Sequence, residues 1–222
     1  MLNLHTRAFW GRLLLAPARG LARAGVSPDV ITVIGTAGLV AGALIFYPQG
    51  EFFIGTVVIT VFVFSDMIDG ALARVTGRVS KWGAFLDSTL DRIGDAAIFA
   101  GLAWWFAGAG DDPLLLTLCL YCLVAGAVVS YAKARAEGLG LTCNVGIAER
   151  AERLLLVLVT TGLDGLGVPY VQAAGLWVLA VASTITLGQR MVTVYRQTLG
   201  RRTPGGPTVG GPTVGGPAGT AG

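Results

Sequence analysis

The chain has 222 residues, 54% of them hydrophobic and only 13% charged, with a mean hydropathy of +0.70. A soluble domain carries about 25% charged residues, so this composition excludes an ordinary soluble fold and predicts an all-α, polytopic membrane protein. The net charge of +3 is too small to imply a nucleic-acid partner; its distribution along the chain is more informative.

Residues 7–24 predict an amphipathic helix lying in the membrane interface. Phe9, Trp10, Leu13, Leu14 and Leu21 alternate there with Arg7, Arg12, Arg19 and Arg23. The same spread of arginines argues against a cleavable signal sequence, whose apolar run is uncharged. Ser27-Pro28 starts a first span, with Ser as cap and Pro in the first turn, and Pro48-Gln49-Gly50 stops it. A second apolar run begins near Phe52 and continues without a break into Asp66. Further runs cover roughly residues 83–107, 114–134, 152–165 and 171–194. Stretches such as 56–64, 114–129 and 154–161 are apolar on every side, as lipid-embedded helices require. Six transmembrane helices are therefore expected, in a single domain over residues 1–202. Residues 203–222 repeat Gly-Gly-Pro-Thr-Val, have too little apolar content with which to pack, and are expected to be disordered. Cys119, Cys122 and Cys143 read as small buried thiols, without a second pair or a histidine to make a metal site.

All 16 Lys and Arg fall in the N-terminal helix, around residues 74–92, within 133–153, or from Arg190 onward. The opposite turns hold only Glu51, Asp111, Asp112 and Asp164. The positive-inside rule then places both termini and the Asp66 segment on the cytoplasmic side of the cell membrane.

Asp66 and Asp69 are three apart on one helix, and Asp87 and Asp91 four apart on the next. Both spacings put the side chains on one helical face. Two such helices meeting antiparallel bring four carboxylates together near the membrane surface. An all-oxygen donor set points to Mg²⁺ or Mn²⁺ rather than zinc. Gly70 lets a bulky group approach the backbone, Gly83 opens the same space from one turn above Asp87, and Arg74 is placed to address a phosphate. A bland alternative has these acids pairing with Arg74, Arg78, Lys81 and Arg92 in a loop. It serves for any one aspartate but not for eight positions at once, whose chance match is well below roughly one in a million on average residue usage.

The run Asp66-x2-Asp69-Gly70-x2-Ala73-Arg74-x8-Gly83-x3-Asp87-x3-Asp91 resembles the signature of the CDP-alcohol phosphotransferase family at all eight positions. That resemblance implies a membrane-embedded transferase in which Asp66, Asp69 and Asp87 bind two Mg²⁺ ions, with Mn²⁺ as the alternative metal. Asp91 then completes the metal site and serves as the catalytic base. It also implies that the start of the first span, Asp29-Val30-Ile31-Thr32, contacts the nucleotide of the donor. Asp29 and Thr32 are one turn apart, and helix capping with a buried Thr32 is the competing reading. Ser80 is a further candidate donor to the diphosphate.

The acceptor must be read from the later spans. Residues 130–137 end the fourth, 149–153 begin the fifth, and Gln189-Arg190 lie towards the cytoplasmic end of the sixth. A snorkelling side chain is the ordinary reading of each cation, but apolar residues flank Arg190 on both sides. Three cations on three helices could instead hold a second phosphate. These segments, and Pro28-Asp29-Val30-Ile31-Thr32, are similar to the actinobacterial phosphatidylinositol phosphate synthases, a branch of the family. The similarity implies transfer from CDP-diacylglycerol to myo-inositol phosphate, with Ser130, Lys133, Arg153 and Arg190 on the acceptor phosphate and a homodimer as the assembly. Glycerol 3-phosphate is the alternative acceptor. A cation transporter or channel is the alternative from another class. It would carry charge through the depth of several spans and show an inverted repeat, whereas here the acids crowd one rim and no repeat is evident.

Overall fold

Local residue choices set the ends of most helices. The structure, a computed structural model, describes residues 19–200 apart from the side chains of Asp66 and Met67. Residues 19–23 are helical; the rest of the expected interfacial helix up to residue 18, and the tail 203–222, lie outside the described residues. Helix α1 (Pro28–Phe46) follows Ser27 with proline in its first turn, and runs into a 3-10 turn (Tyr47–Gln49) closed by Gly50 at φ 78°. Helix α2 (Phe52–Thr76) ends at Gly77, which takes a left-handed conformation and returns its N–H to the Ala73 carbonyl. The Ser80 hydroxyl caps α3 (Lys81–Ala107) by accepting from the Gly83 N–H at 2.9 Å. Asp112 caps α4 (Pro113–Gly138) in the same way through the Leu115 N–H. Helices α5 (Arg150–Asp164) and α6 (Val171–Gly200) complete the chain.

From Pro28 onward the α-helices number six, as many as the expected spans, but among the described residues four segments are long and apolar enough to cross a membrane: Pro28–Gln49, Phe52–Thr76, Pro113–Gly138 and Val171–Leu199. The other two fall short for different reasons. Helix α3 carries Lys81, Asp87, Asp91, Arg92 and Asp95 in its first half. Helix α5 has 15 residues, about 22 Å at 1.5 Å per residue, against a hydrocarbon core of about 30 Å.

Helix contacts close a ring in the order α1, α2, α5, α6, α4, α3 and back to α1. Its interior is filled by a core that includes Ala43, Tyr47, Ile98, Leu102, Cys119, Cys122, Leu176 and Leu179. Apolar side chains such as Ile34, Val61, Trp104, Val124 and Val178 face outward, the arrangement expected of a lipid-facing surface. The chain is thus an integral membrane protein.

Glycines set how closely α1 approaches its neighbours. Gly35, Gly38 and Gly42 lie against Ser65, Phe62 and Val58 of α2, a stripe of small residues that brings two helix backbones together. This antiparallel register continues one turn further to set Thr32 against Asp69. On the other flank of α1, a Cβ at Gly101 of α3 would run into the Ala43 carbonyl. Gly101→Ala is therefore expected to destabilise the protein by about 2 kcal/mol, read as a lower Tm in detergent. Gly188→Ala is the control: nothing lies within 4 Å of its added methyl, and it should not lower Tm.

Candidate active site

The carboxylate side of the site is built where α1, α2 and α3 meet. Thr32 and Asp69 are each 6% exposed. The Thr32 hydroxyl lies 3.1 Å from the Pro28 carbonyl and donates to Asp69 Oδ2, which orients that carboxylate. Both residues line a cavity of about 340 Å³ with Asp87 on the facing helix. Of the residues expected at the donor, Asp29, Thr32, Gly70, Arg74 and Ser80 all line this cavity. Val30 and Ile31 do not: Val30 is exposed, and Ile31 packs on the small Ala71–Leu72 cluster. Because Ser80 Oγ acts as acceptor in capping α3, its own proton remains available to a ligand.

Asp66 lies one turn before Asp69 on α2, and its side chain lies outside the described residues. Among the described residues, no three of His, Cys, Asp and Glu gather closely enough to hold a metal ion. The chemistry of the set nevertheless fits a hard divalent cation. Asp69 and Asp87 bring carboxylate oxygens from two helices to one cavity, with neither imidazole nor sulfur among its lining.

Asp91 is placed differently from Asp69 and Asp87. Its Oδ1 is 2.8 Å from Arg150 Nη2 and its Oδ2 is 3.6 Å from Arg92 Nη2. The fourth carboxylate of the signature, one turn after Asp87 on α3, does not line the acidic cavity and is instead paired with a cluster of cations.

Those cations line a second cavity of about 500 Å³ between α3, α4, α5 and α6. Ser130, Lys133, Arg153 and Arg190, the four residues expected at the acceptor, all face it, joined by Arg92 and Arg150 and by the carboxylates Glu137 and Glu149. Arg153 and Arg190 are 4% exposed each, so neither snorkels to water. Arg190 donates from Nε to the Val145 carbonyl (3.0 Å) and from Nη1 to the Val129 carbonyl (2.5 Å), and its Nη2 is 3.8 Å from Glu149. Arg153 Nη1 reaches the Ala148 carbonyl at 3.4 Å, while its buried Nη2 makes no hydrogen bond. Ser130 accepts from Arg92 Nη1 and donates to the Gly126 carbonyl at 3.0 Å. The loop that supplies Val145, Ala148 and Glu149 is tied to α6 by Thr186, whose hydroxyl accepts from the N–H groups of Ile147 and Ala148 (3.2 and 3.0 Å). Buried guanidinia at this density need compensating negative charge, and a phosphate supplies it through charge-assisted hydrogen bonds.

Five charged residues at or against this cavity were absent from the expected site: Arg92, Glu137, Glu149 and Arg150 in its lining, and Asp95, whose Oδ1 is 3.2 Å from Arg150 Nε. Asp95 had a readable signal, since it follows Asp91 by four residues and Asp87 by eight, on the same helical face. Arg92 and Arg150 had none beyond their charge, because their partners lie on other helices.

Residues 25–188 match the family model described as CDP-alcohol phosphatidyltransferase. A phosphatidylinositol phosphate synthase of Streptomyces avermitilis is 56% identical over 205 residues, covering 89% of this chain and 84% of that relative. Its counterpart from Mycolicibacterium smegmatis is 48% identical over 194 residues, covering 86% of this chain and 87% of that relative. Among solved structures, Mycobacterium tuberculosis phosphatidylinositol phosphate synthase with CDP-DAG bound matches with a TM-score of 0.80 at 46% identity, over 87% of this chain and 96% of that one. The complex of the same protein with manganese and citrate matches with a TM-score of 0.79 at 46% identity, over 86% and 90%.

Proposed function

We propose that this chain, which belongs to the CDP-alcohol phosphatidyltransferase family, transfers the phosphatidyl group of CDP-diacylglycerol to myo-inositol phosphate and releases CMP. That it is a transferase of phospholipid biosynthesis follows from the family; the donor and acceptor are our reading. The observation that carries this reading is the pair of cavities on either side of α3. One is lined by carboxylates with Arg74 and Arg78, the other by five cations, and Asp91 follows Asp87 of the first by one turn and pairs with Arg150 of the second. Two phosphate-bearing substrates meeting at Asp91 would use both cavities. The names of the relatives support the inositol phosphate acceptor, and the CDP-DAG complex of the M. tuberculosis protein supports the donor.

Asp66, Asp69, Asp87 and Asp91 are the residues that would hold two Mg²⁺ ions, with Mn²⁺ as the alternative suggested by the manganese complex of the relative. Bound there, the ions would neutralise the donor diphosphate and the departing CMP. On this reading Thr32 keeps the Asp69 carboxylate aimed at the cavity, and Arg74 and Ser80 bind diphosphate oxygens. Asp29 and Thr32 form the nucleotide end. Ser130, Lys133, Arg153 and Arg190 hold the acceptor phosphate so that an inositol hydroxyl points at Asp91. The hydroxyl oxygen bonds to the phosphorus that bears diacylglycerol as the bond from that phosphorus to CMP breaks, and Asp91 takes the hydroxyl proton.

We read all six helices as spans, because α3 and α5 each lie between two helices that qualify by themselves. Charge asymmetry supports a cell-membrane protein with both termini and the site on the cytoplasmic side, and we expect a homodimer.

Acceptor dependence tests the reading. Purified protein with CDP-diacylglycerol and Mg²⁺ should release CMP when myo-inositol phosphate is added, and much less with glycerol 3-phosphate. Chelation of divalent metal should stop release with either. No CMP with any polyol phosphate would sink the proposal, and a preference for glycerol 3-phosphate would transfer it to the alternative acceptor.

A further inference from the structure

Asp95 lies outside the eight-residue signature, yet its carboxylate is the meeting point of three guanidinia that line the cation cavity. Arg150 Nε donates to Asp95 Oδ1 at 3.2 Å. Arg153 Nη2 and Arg92 Nη1 lie 3.5 and 3.8 Å from Oδ2. The carboxylate is 18% exposed, and it sits one turn beyond Asp91 on the face of α3 turned towards α5. It engages one nitrogen of each guanidinium, a small part of the five N–H donors each carries.

Three like charges held this closely repel one another, more strongly where water is scarce. A single carboxylate among them offsets that repulsion and fixes where each planar group points. Take it away, and each arginine still has a second anchor to collapse onto. Arg150 and Arg92 have Asp91, at 2.8 and 3.6 Å, and Arg153 has the Ala148 carbonyl at 3.4 Å. Each collapse draws a cation away from the cavity. Arg153 Nη2 is buried and ion-paired to Asp95 at 3.5 Å without a well-formed hydrogen bond, so it retains donor capacity that a phosphate oxygen in this cavity would satisfy.

We propose that Asp95 is a positioning residue for the acceptor: it clamps Arg92, Arg150 and Arg153 into one array that binds a phosphate group, sharing Arg150 and Arg92 with Asp91 so that each of these two guanidinia is held between two carboxylates. This rests on reading the cation cavity as the acceptor site. The positioning role itself concerns phosphate affinity and is separable from the identity of the acceptor.

The test compares full-length wild type, Asp95→Asn and Asp95→Glu in detergent. Binding of inorganic phosphate is measured by calorimetry, beside KM for acceptor, KM for CDP-diacylglycerol, and Tm. Asp95→Asn should weaken phosphate binding and raise the acceptor KM by about tenfold or more, in the range seen when a partner that orients a ligand-binding group is removed. The KM for CDP-diacylglycerol should change by less than about twofold, since Asp95 does not line the donor cavity. Asp95→Glu keeps the charge on a longer arm and should fall between wild type and Asp95→Asn. It also carries the test if Asp95→Asn fails to fold, through a weakened phosphate affinity at near-wild-type Tm. Unchanged phosphate affinity in a folded variant overturns the proposal, as does an equal rise in both KM values. If wild type binds phosphate, Asp95→Asn weakens it, and inositol phosphate is not used, then the acceptor assignment fails while the positioning role stands.

Discussion

Asp69→Asn should abolish turnover while leaving the protein folded. Asparagine has the shape of aspartate, and its Oδ1 can still accept the hydrogen bond that Thr32 donates to the carboxylate, so the α1–α2 contact survives. What disappears is one negative charge in a buried position that faces the same cavity as Asp87. If that charge holds a divalent cation against the donor diphosphate, its loss removes several kcal/mol of stabilisation, a fall in CMP release of about 10³-fold or more. Tm in detergent should stay near wild type, because the packing is unchanged. Thr32→Val separates orientation from charge: Asp69 stays ionised but loses its hydroxyl partner, and a loss of about tenfold is expected. A folded Asp69→Asn protein that kept a tenth of the wild-type rate would remove Asp69 from the proposed cation-binding set.

Arg190→Ala is expected to act on two quantities at once. From the sequence, Arg190 has the profile of an acceptor ligand, and its loss should raise the acceptor KM. The structure adds a second role. The guanidinium links α4 through the Val129 carbonyl to the α4–α5 loop through the Val145 carbonyl, at 4% exposure. Truncation removes the Val145 carbonyl's side-chain donor and the Val129 carbonyl's extra donor, at about 1–3 kcal/mol, and loosens the loop that carries Glu149, which Thr186 still tethers. A Tm lowered by several degrees should therefore accompany a rise in acceptor KM of about tenfold or more, with the KM for CDP-diacylglycerol little changed. Arg190→Lys tells the roles apart. A lysine retains the charge but lacks the fork that reaches two carbonyls in different directions, so it should restore acceptor binding better than stability. A rise in neither acceptor KM nor thermal sensitivity would show that the cavity does not depend on this side chain.

The resemblance to a two-metal transferase was legible because it is written in local periodicity. Spacings of three and four residues place Asp66 with Asp69, and Asp87 with Asp91, on helical faces wherever those helices go. The same holds for the helix start at Ser27-Pro28 and for the apolar runs. Charge asymmetry is also a property of the chain order alone. The number of helices was therefore readable, while the number that qualify as spans was not. The acids and cations that make α3 useful at one end also make it a poor membrane helix by composition, and α5 is short.

The sequence by itself thus determined the enzyme family, the carboxylate motif and the basic residues that line the second cavity. Tertiary structure decided which of them meet. Thr32 faces Asp69 because Gly35, Gly38 and Gly42 let α1 settle on α2 in one antiparallel register. Val30 and Ile31, in the same expected segment, turn away from the donor cavity because successive helical residues point in different directions. Asp91 stands apart from Asp69 and Asp87, paired to Arg150. The clamp at Asp95 joins α3 to α5 across 55 positions of chain. Such partners are invisible in a linear pattern, since they depend on how side chains on different helices fill the space between them rather than on any repeat within one helix.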